Sequence, residues 1–215
     1  MGAIARSAAN LITTSGVVLK GAVNNDSFDN VTALPSSIGD GITLISSQTA
    51  SNSASISFTT GLTSTYKAYK FVFSNIHPRS NVVDFQFNMS TDSGSSYNVT
   101  KTTTDFYAYH TEADSSDLDY LGSNDLAQST AFQPIAGAVG SDADQSVAGT
   151  LQLFNPSSTV YVKHFISNIN YTWQGDGTEQ EFVAGYGNTT SAVNAVQFKM
   201  SSGNFDGVIY LYGIK

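Results

Sequence analysis

Three histidines, one run of carboxylates and a few aromatic residues outside the regular pattern are the side chains with which this chain could do chemistry. His77, His110 and His164 lie far apart, and none has a second metal-type ligand at a recognised spacing. Their expected role is hydrogen bonding at a core edge or on the surface. Glu112, Asp114, Asp117 and Asp119, with Asp125, Asp142 and Asp144 nearby, are the one place where oxygen ligands could gather around a hard cation. The helix–loop–helix calcium pattern is missing, so these four are weak metal candidates set against a merely solvated loop. No metal or cofactor is expected. Two of these carboxylates could serve as a glycosidase pair only if strands held them roughly 5 to 10 Å apart. Serines are too numerous to single out a nucleophile, and no Gly-x-Ser-x-Gly elbow occurs. The expectation is a protein that is not an enzyme.

Aromatic side chains are the better pointer to binding. Tyr107, Tyr109, Tyr120, Tyr171, Trp173 and Tyr186 fall near expected loops or strand ends, where a ring could stack on a sugar or anchor a subunit contact. With a single Trp in the chain, the subunit reading is the stronger. Trp173 could equally be a plug over the end of the domain.

The elements that must hold these residues announce themselves by period two. Ile42 and Leu44 open the first strand, and Ile56 and Phe58 mark a second. A third places Tyr69, Phe71 and Phe73 on one face, and Val83, Phe85, Phe87 and Met89 alternate with polar residues in a fourth. The segment Thr91 to Ser96 is a turn by composition, leading to Tyr97–Thr100 as the return of a hairpin. Phe106, Ala108 and His110 suggest a further strand. Between Thr111 and Asp144 the pattern lapses, with a short helix around Ser116 to Leu121 as an option. Alternation resumes at Val147 and continues through Val160–Trp173, Phe182–Tyr186, Ala192–Met200 and Val208–Tyr212. About ten short strands with polar turns give an all-β expectation: an antiparallel β-sandwich, jelly-roll-like by preference, an up-and-down barrel being the other topology with the same string.

The 215 residues carry a net charge of −8 with only 12% charged residues and no cysteine, so disulfides and thiolate chemistry are excluded. The nine basic residues are scattered, leaving no electrostatic footprint for nucleic acid. No stretch approaches the roughly 18 apolar residues of a membrane-spanning helix, so no membrane insertion is expected. Two segments are expected: an extended N-terminal arm over residues 1–40 and a β domain over 41–215. In the arm, Ile4, Leu11, Ile12, Val17, Val18, Leu19 and Phe28 are the candidates for docking or subunit contact, because apolar residues are wasteful on a free tail.

Four stretches carry a resemblance: Tyr69–Pro78, Ser90–Asn98, Gly185–Asn188 and Ile209–Lys215. Together they look like virion structural proteins of tailed bacteriophages, of the fibre or decoration type, especially phages of marine bacteria and cyanobacteria. The resemblance covers most of the chain after Gly41 and brings no catalytic residues. It implies a protein on the virion surface, a head decoration or short head or tail fibre, docked on other virion proteins through its arm. A homo-oligomer is expected, a trimer by analogy with fibres. The competing expectation is a carbohydrate-binding module that recognises a host surface glycan, with Tyr109, Tyr120, Tyr171, Trp173 and Tyr186 as candidate glycan or subunit contacts.

Overall fold

A computed structural model describes residues 41–215, which form twelve antiparallel strands and, among the described residues, no helix. The expected arm with Ile4, Leu11, Ile12, Val17, Val18, Leu19 and Phe28 lies outside the described residues.

The pairing is nested. β1 (Ile42–Ser53) pairs with β12 (Phe205–Ile214), β2 (Ile56–Phe58) with β11 (Ala195–Met200), β3 (Ala68–Pro78) with β8 (Val147–Phe154), and β4 (Val83–Ser90) with β7 (Gln133–Val139). Sideways, β12 joins β3 and β11 joins β4, giving one sheet β1-β12-β3-β8 and a second β2-β11-β4-β7. A long hairpin rolled into two facing sheets in this order is a jelly roll. The sheets meet in one ladder at Val139 and Trp173. On the other side, the Gln48 amide donates to the Ser57 carbonyl at 2.8 Å and ties β1 to β2, so the sandwich is nearly a closed barrel.

Two insertions enlarge the first sheet. β5 (Lys101–Thr111) and β6 (Ser116–Tyr120) lie between β4 and β7, and β9 (Lys163–Trp173) and β10 (Gly177–Gly187) lie between β8 and β11. β9 pairs with β8, β10 with both β9 and β5, and β5 with β6, so four strands β9-β10-β5-β6 run outward from the sandwich.

Between the sheets the core is aromatic. Phe198 meets Phe58, Phe71, Phe73, Phe85 and Phe87 at ring-centroid distances of 5.0–6.4 Å, mostly edge to face. Such pairs add about 0.5–1.5 kcal/mol each beyond the area they bury. The buried Tyr69 hydroxyl donates to the Thr63 carbonyl at 2.8 Å and accepts from the Thr63 amide at 2.9 Å, so burial leaves it satisfied.

Three expectations need correction. The segment around Ser116–Leu121 is not a helix: residues 116–120 are strand β6, held by pairing with β5. Residues 133–139, expected in an irregular connection, are strand β7; register shifts against β4 and a positive φ at Ala138 break the period that alternation needs. Tyr97–Thr100 is not a strand, although the Val99 amide still reaches the Met89 carbonyl at 3.3 Å. As expected, Ile42 and Leu44 open β1; both face outward, and a register shift between Leu44 and Ser46 separates them from the buried Ala50. The expected turn at 91–96 is present: Asp92 accepts from the Ser96 amide at 2.9 Å, and Gly94 takes φ 88°.

Candidate functional site

The extension β9-β10-β5-β6 positions most of the aromatic candidates, and its two faces differ. On the inner face, cross-strand register aligns Asp117 (β6), Tyr109 (β5), Glu179 (β10) and Tyr171 (β9) in one row. The next row aligns Asp119, Tyr107, Glu181 and Ile169. Tyr107 and Tyr109 lie side by side, ring centroids 6.1 Å apart. Opposite them, the chain after β6 turns back: the Leu121 amide donates to the Asp105 carbonyl and the Asn124 amide to the Leu121 carbonyl, both at 3.0 Å. β4 contributes Asp84, whose carboxylate accepts from the Ala138 amide at 3.1 Å.

These parts enclose a cleft of about 560 Å³, with Tyr107, Tyr109, Trp173, Glu179, Asp84 and Asn124 among its lining. That volume suits a small organic ligand. Behind the lining lies a buried polar layer. The Tyr171 hydroxyl is 2.6 Å from Glu179 Oε1 and 3.0 Å from Glu181 Oε2, and the Gly137 amide donates to Glu181 Oε2 at 2.9 Å. Asp105 and Glu181 are fully buried and sit against each other. Lys101, four residues before Asp105 on the same strand, is directed elsewhere: its Nζ donates to Asn88 Oδ1 at 2.6 Å and to the Val99 carbonyl at 2.8 Å.

The electrostatic consequence is a carboxyl pair that retains protons. Burial pushes Asp105 up to about 6, with Asp125 and Glu179 adding repulsion. Burial and the neighbouring Asp105 push Glu181 up to about 8, so near neutral pH the pair retains a proton. Glu179 is raised too, by burial first and by Glu181, with the Tyr171 hydrogen bond opposing. Burial alone lowers Lys101 to about 7.

The sequence candidates separate accordingly. Tyr109 and Trp173 come together in the cleft. Tyr171 lies beneath it, 2% exposed, so its ring cannot stack on an external sugar; it serves as a buried donor. Tyr120 is on the outer face beside Phe106, its hydroxyl bonded to Asp125. Tyr186 is also outside, packed on His164 at 6.1 Å in a recess with Phe154 and Ile166. Glu112 and Asp114 occupy the β5–β6 turn, where Asp114 pairs with His110 at 3.3 Å, and Asp117 and Asp119 are exposed on β6. Glu112, Asp114, Asp117 and Asp119 do not form a ligand set, and among the described residues no three acidic or histidine side chains converge as one.

Sequence reasoning missed Glu179, Glu181 and Asp105. The signal was present: Glu179 and Glu181 are spaced by two within β10, but an expected strand beginning at Phe182 left both in a turn. Asp105 was hidden by Phe106, Ala108 and His110, which alternate with it and drew attention to the opposite face. Comparisons with protein-family models, with curated proteins and with solved structures return no match.

Proposed function

We propose that the chain is a non-enzymatic structural protein of a phage particle surface, a head decoration or short head or tail fibre, that self-associates through the outer face of β9-β10-β5-β6 and docks on other virion proteins through residues 1–40. The observation that carries this reading is the composition of that outer face. By register it presents His164, Ile166, Asn168, Asn170 and Thr172 from β9, and Tyr186, Ala184, Phe182, Gln180 and Thr178 from β10. Thr102, Thr104, Phe106, Ala108 and His110 come from β5, with Ser116, Leu118 and Tyr120 from β6.

The strand residues of this face include no Asp, Glu, Lys or Arg in a chain of net charge −8. Phe106 and Phe182 stack on it at 5.0 Å, and Leu118, Tyr120, Ile166 and Phe106 are 67, 58, 53 and 42% exposed. Depletion of charge with enrichment of aromatic residues is the signature of an interface core. Carboxylates meet this face at its margin, where Asp125 bonds the Tyr120 hydroxyl and Asp114 pairs with His110 at 3.3 Å. Three strands of 11 residues and one of 5 offer roughly 600 Å² of sheet at ~3.4 Å per residue and ~4.8 Å per strand. That is the order of the ~800 Å² that each partner contributes to a standard interface.

The virion setting is supported by the four resembling segments and by the jelly roll, an architecture that serves viral capsids and lectins alike. The non-enzymatic reading is supported by the burial of the Asp105–Glu181 pair beneath Tyr171 and Gly137, out of reach of a substrate. Light scattering on the full-length protein tests the assembly. A trimer, at three times the 22.8 kDa of the chain, is the expected mass, and a monomer at micromolar concentration would overturn self-association.

A further inference from the structure

We infer that the cleft framed by β5, β10 and the turn at Leu121–Asn124 is a saccharide-binding site that accepts neutral glycans and rejects acidic ones. Its location on the inner face makes the inference independent of the assembly reading, which concerns the outer face.

A pyranose offers weakly polar C–H faces and a rim of hydroxyl donors and acceptors. The cleft offers the complement. Tyr107, Tyr109 and Trp173 supply ring surface for C–H stacking, Glu179 and Asp84 supply acceptors for hydroxyls, and the Asn124 amide supplies both donor and acceptor. These groups are held in place before any ligand arrives. Tyr171 donates to Glu179 at 2.6 Å, Asp84 is fixed by the Ala138 amide, and the Gly137 amide is held by Glu181 and Tyr171. A site fixed in this way spends little conformational entropy on binding. Charge then selects among sugars. Asp84 and Glu179 line the cleft without a lysine or arginine among the lining residues, and Asp117 and Asp119 stand in register with Tyr109 and Tyr107. Uronates, sulfated sugars and phosphates would meet only like charge and find no guanidinium or ammonium to pair with.

Trp173 is the only tryptophan of the chain and lines the cleft, so its emission reports occupancy directly. The test titrates full-length protein with neutral hexasaccharides of glucose, galactose, mannose and N-acetylglucosamine, with hexagalacturonate and tetramethylammonium in parallel. The expected result is a saturable emission change with at least one neutral hexasaccharide and at least tenfold weaker response to hexagalacturonate. Tyr107→Ala and Glu179→Gln should each weaken the neutral ligand at least tenfold, and Tyr161→Ala, at an exposed position just before β9, should leave it unchanged. Circular dichroism melting establishes that each variant is folded, and Asn124→Ala replaces any that is not. No saturable change with any neutral hexasaccharide overturns the inference. So does an equal response to hexagalacturonate, or a response to tetramethylammonium alone, which would mark an aromatic cage for organic cations.

Discussion

The two faces of the β9-β10-β5-β6 ribbon come from alternate residues of the same strands, yet they have opposite chemistry. The inner face carries Asp105, Glu179, Glu181, Tyr107 and Tyr109; the outer face carries Phe106, Phe182, Ile166 and Leu118. In the sandwich proper the usual order holds for the core strands, with Phe71, Phe85 and Phe198 inside and Lys70, Asp84 and Lys199 on the opposite face. In β5 it is inverted, with Asp105 fully buried and Phe106 exposed. Burying a carboxyl while exposing a phenylalanine is unfavourable twice over for an isolated subunit. The exposed phenylalanines fit the subunit contact proposed for the outer face, whereas on the inner face Glu179 and Asp84 reach the cleft and the buried Asp105 does not.

Charging the outer face should break this division most sharply. Phe106→Asp with Ile166→Asp would place two carboxylates on each approaching copy, and association should weaken by more than 100-fold, about 3 kcal/mol or more. Light scattering reads the loss, and the saccharide response of Trp173 should persist. Association at the parental strength would assign the subunit contact to another surface.

The inner face should reveal itself next, through pH. Asp105 at about 6 and Glu181 at about 8 hold protons in the folded state that the unfolded chain releases near 4. Folded values raised in this way give stability that is complete below the unfolded values and is lost as pH rises through the folded ones. Lys101, lowered to about 7, acts in the opposite sense: the unfolded chain binds its proton more tightly, so its contribution makes stability rise between about 7 and 10.5. Between pH 4.5 and 7 the carboxyls act with little opposition, and urea unfolding should show stability falling by a few kcal/mol across that window. In Glu181→Gln with Asp105→Asn the fall should shrink to the part that the buried Glu179 contributes, leaving the alkaline rise from Lys101. A parental protein with flat stability from pH 4.5 to 7 would contradict the buried pair.

The same inversion shows how far the sequence was readable. Alternation reveals which residues share a face, and in the sandwich hydrophobicity also reveals which face is inside, so Tyr69, Phe71 and Phe73 or Phe85, Phe87 and Met89 were placed correctly. In β5 the two cues conflict, because what lies inside there is a polar layer fixed by Tyr171 from a strand more than sixty residues away. β7 was unreadable for a different reason: its register shifts and the positive φ at Ala138 erase the period. The nested pairing agrees with the jelly-roll preference, but the same string of strands also fits an up-and-down barrel, so the order came from long-range pairing, and the cleft likewise depends on a register between two insertions that no local pattern encodes.

Smaller changes sharpen the inner face further. Tyr171→Phe removes the hydroxyl that donates to Glu179 Oε1, while Glu181 Oε2 keeps the Gly137 amide, and should cost about 1–3 kcal/mol in urea unfolding near neutral pH. Part of that cost should be recovered by adding Glu181→Gln, whose amide can donate to Glu179. A Tyr171→Phe variant as stable as the parent would mean that the hydroxyl is not holding the layer together.

The smallest effect is expected at the rim. Asp119 is exposed on β6, and its Oδ1 accepts the Tyr120 amide at 2.8 Å, a bond that the carbonyl of an asparagine can keep. Asp119→Asn should therefore change stability by no more than about 0.5 kcal/mol. It should still move Tyr107, its cross-strand partner. That phenol is held above its ordinary value by burial, then by the charges of Asp119 and Glu179. Removing the first of those charges should lower the Tyr107 ionisation while leaving desolvation and Glu179 in place, a difference that ultraviolet titration against a Tyr107→Phe reference resolves. An unmoved phenol would mean that solvent screens Asp119 from the ring, and the repulsion that excludes acidic sugars would then have to come from Glu179 and Asp84 inside the cleft rather than from its rim.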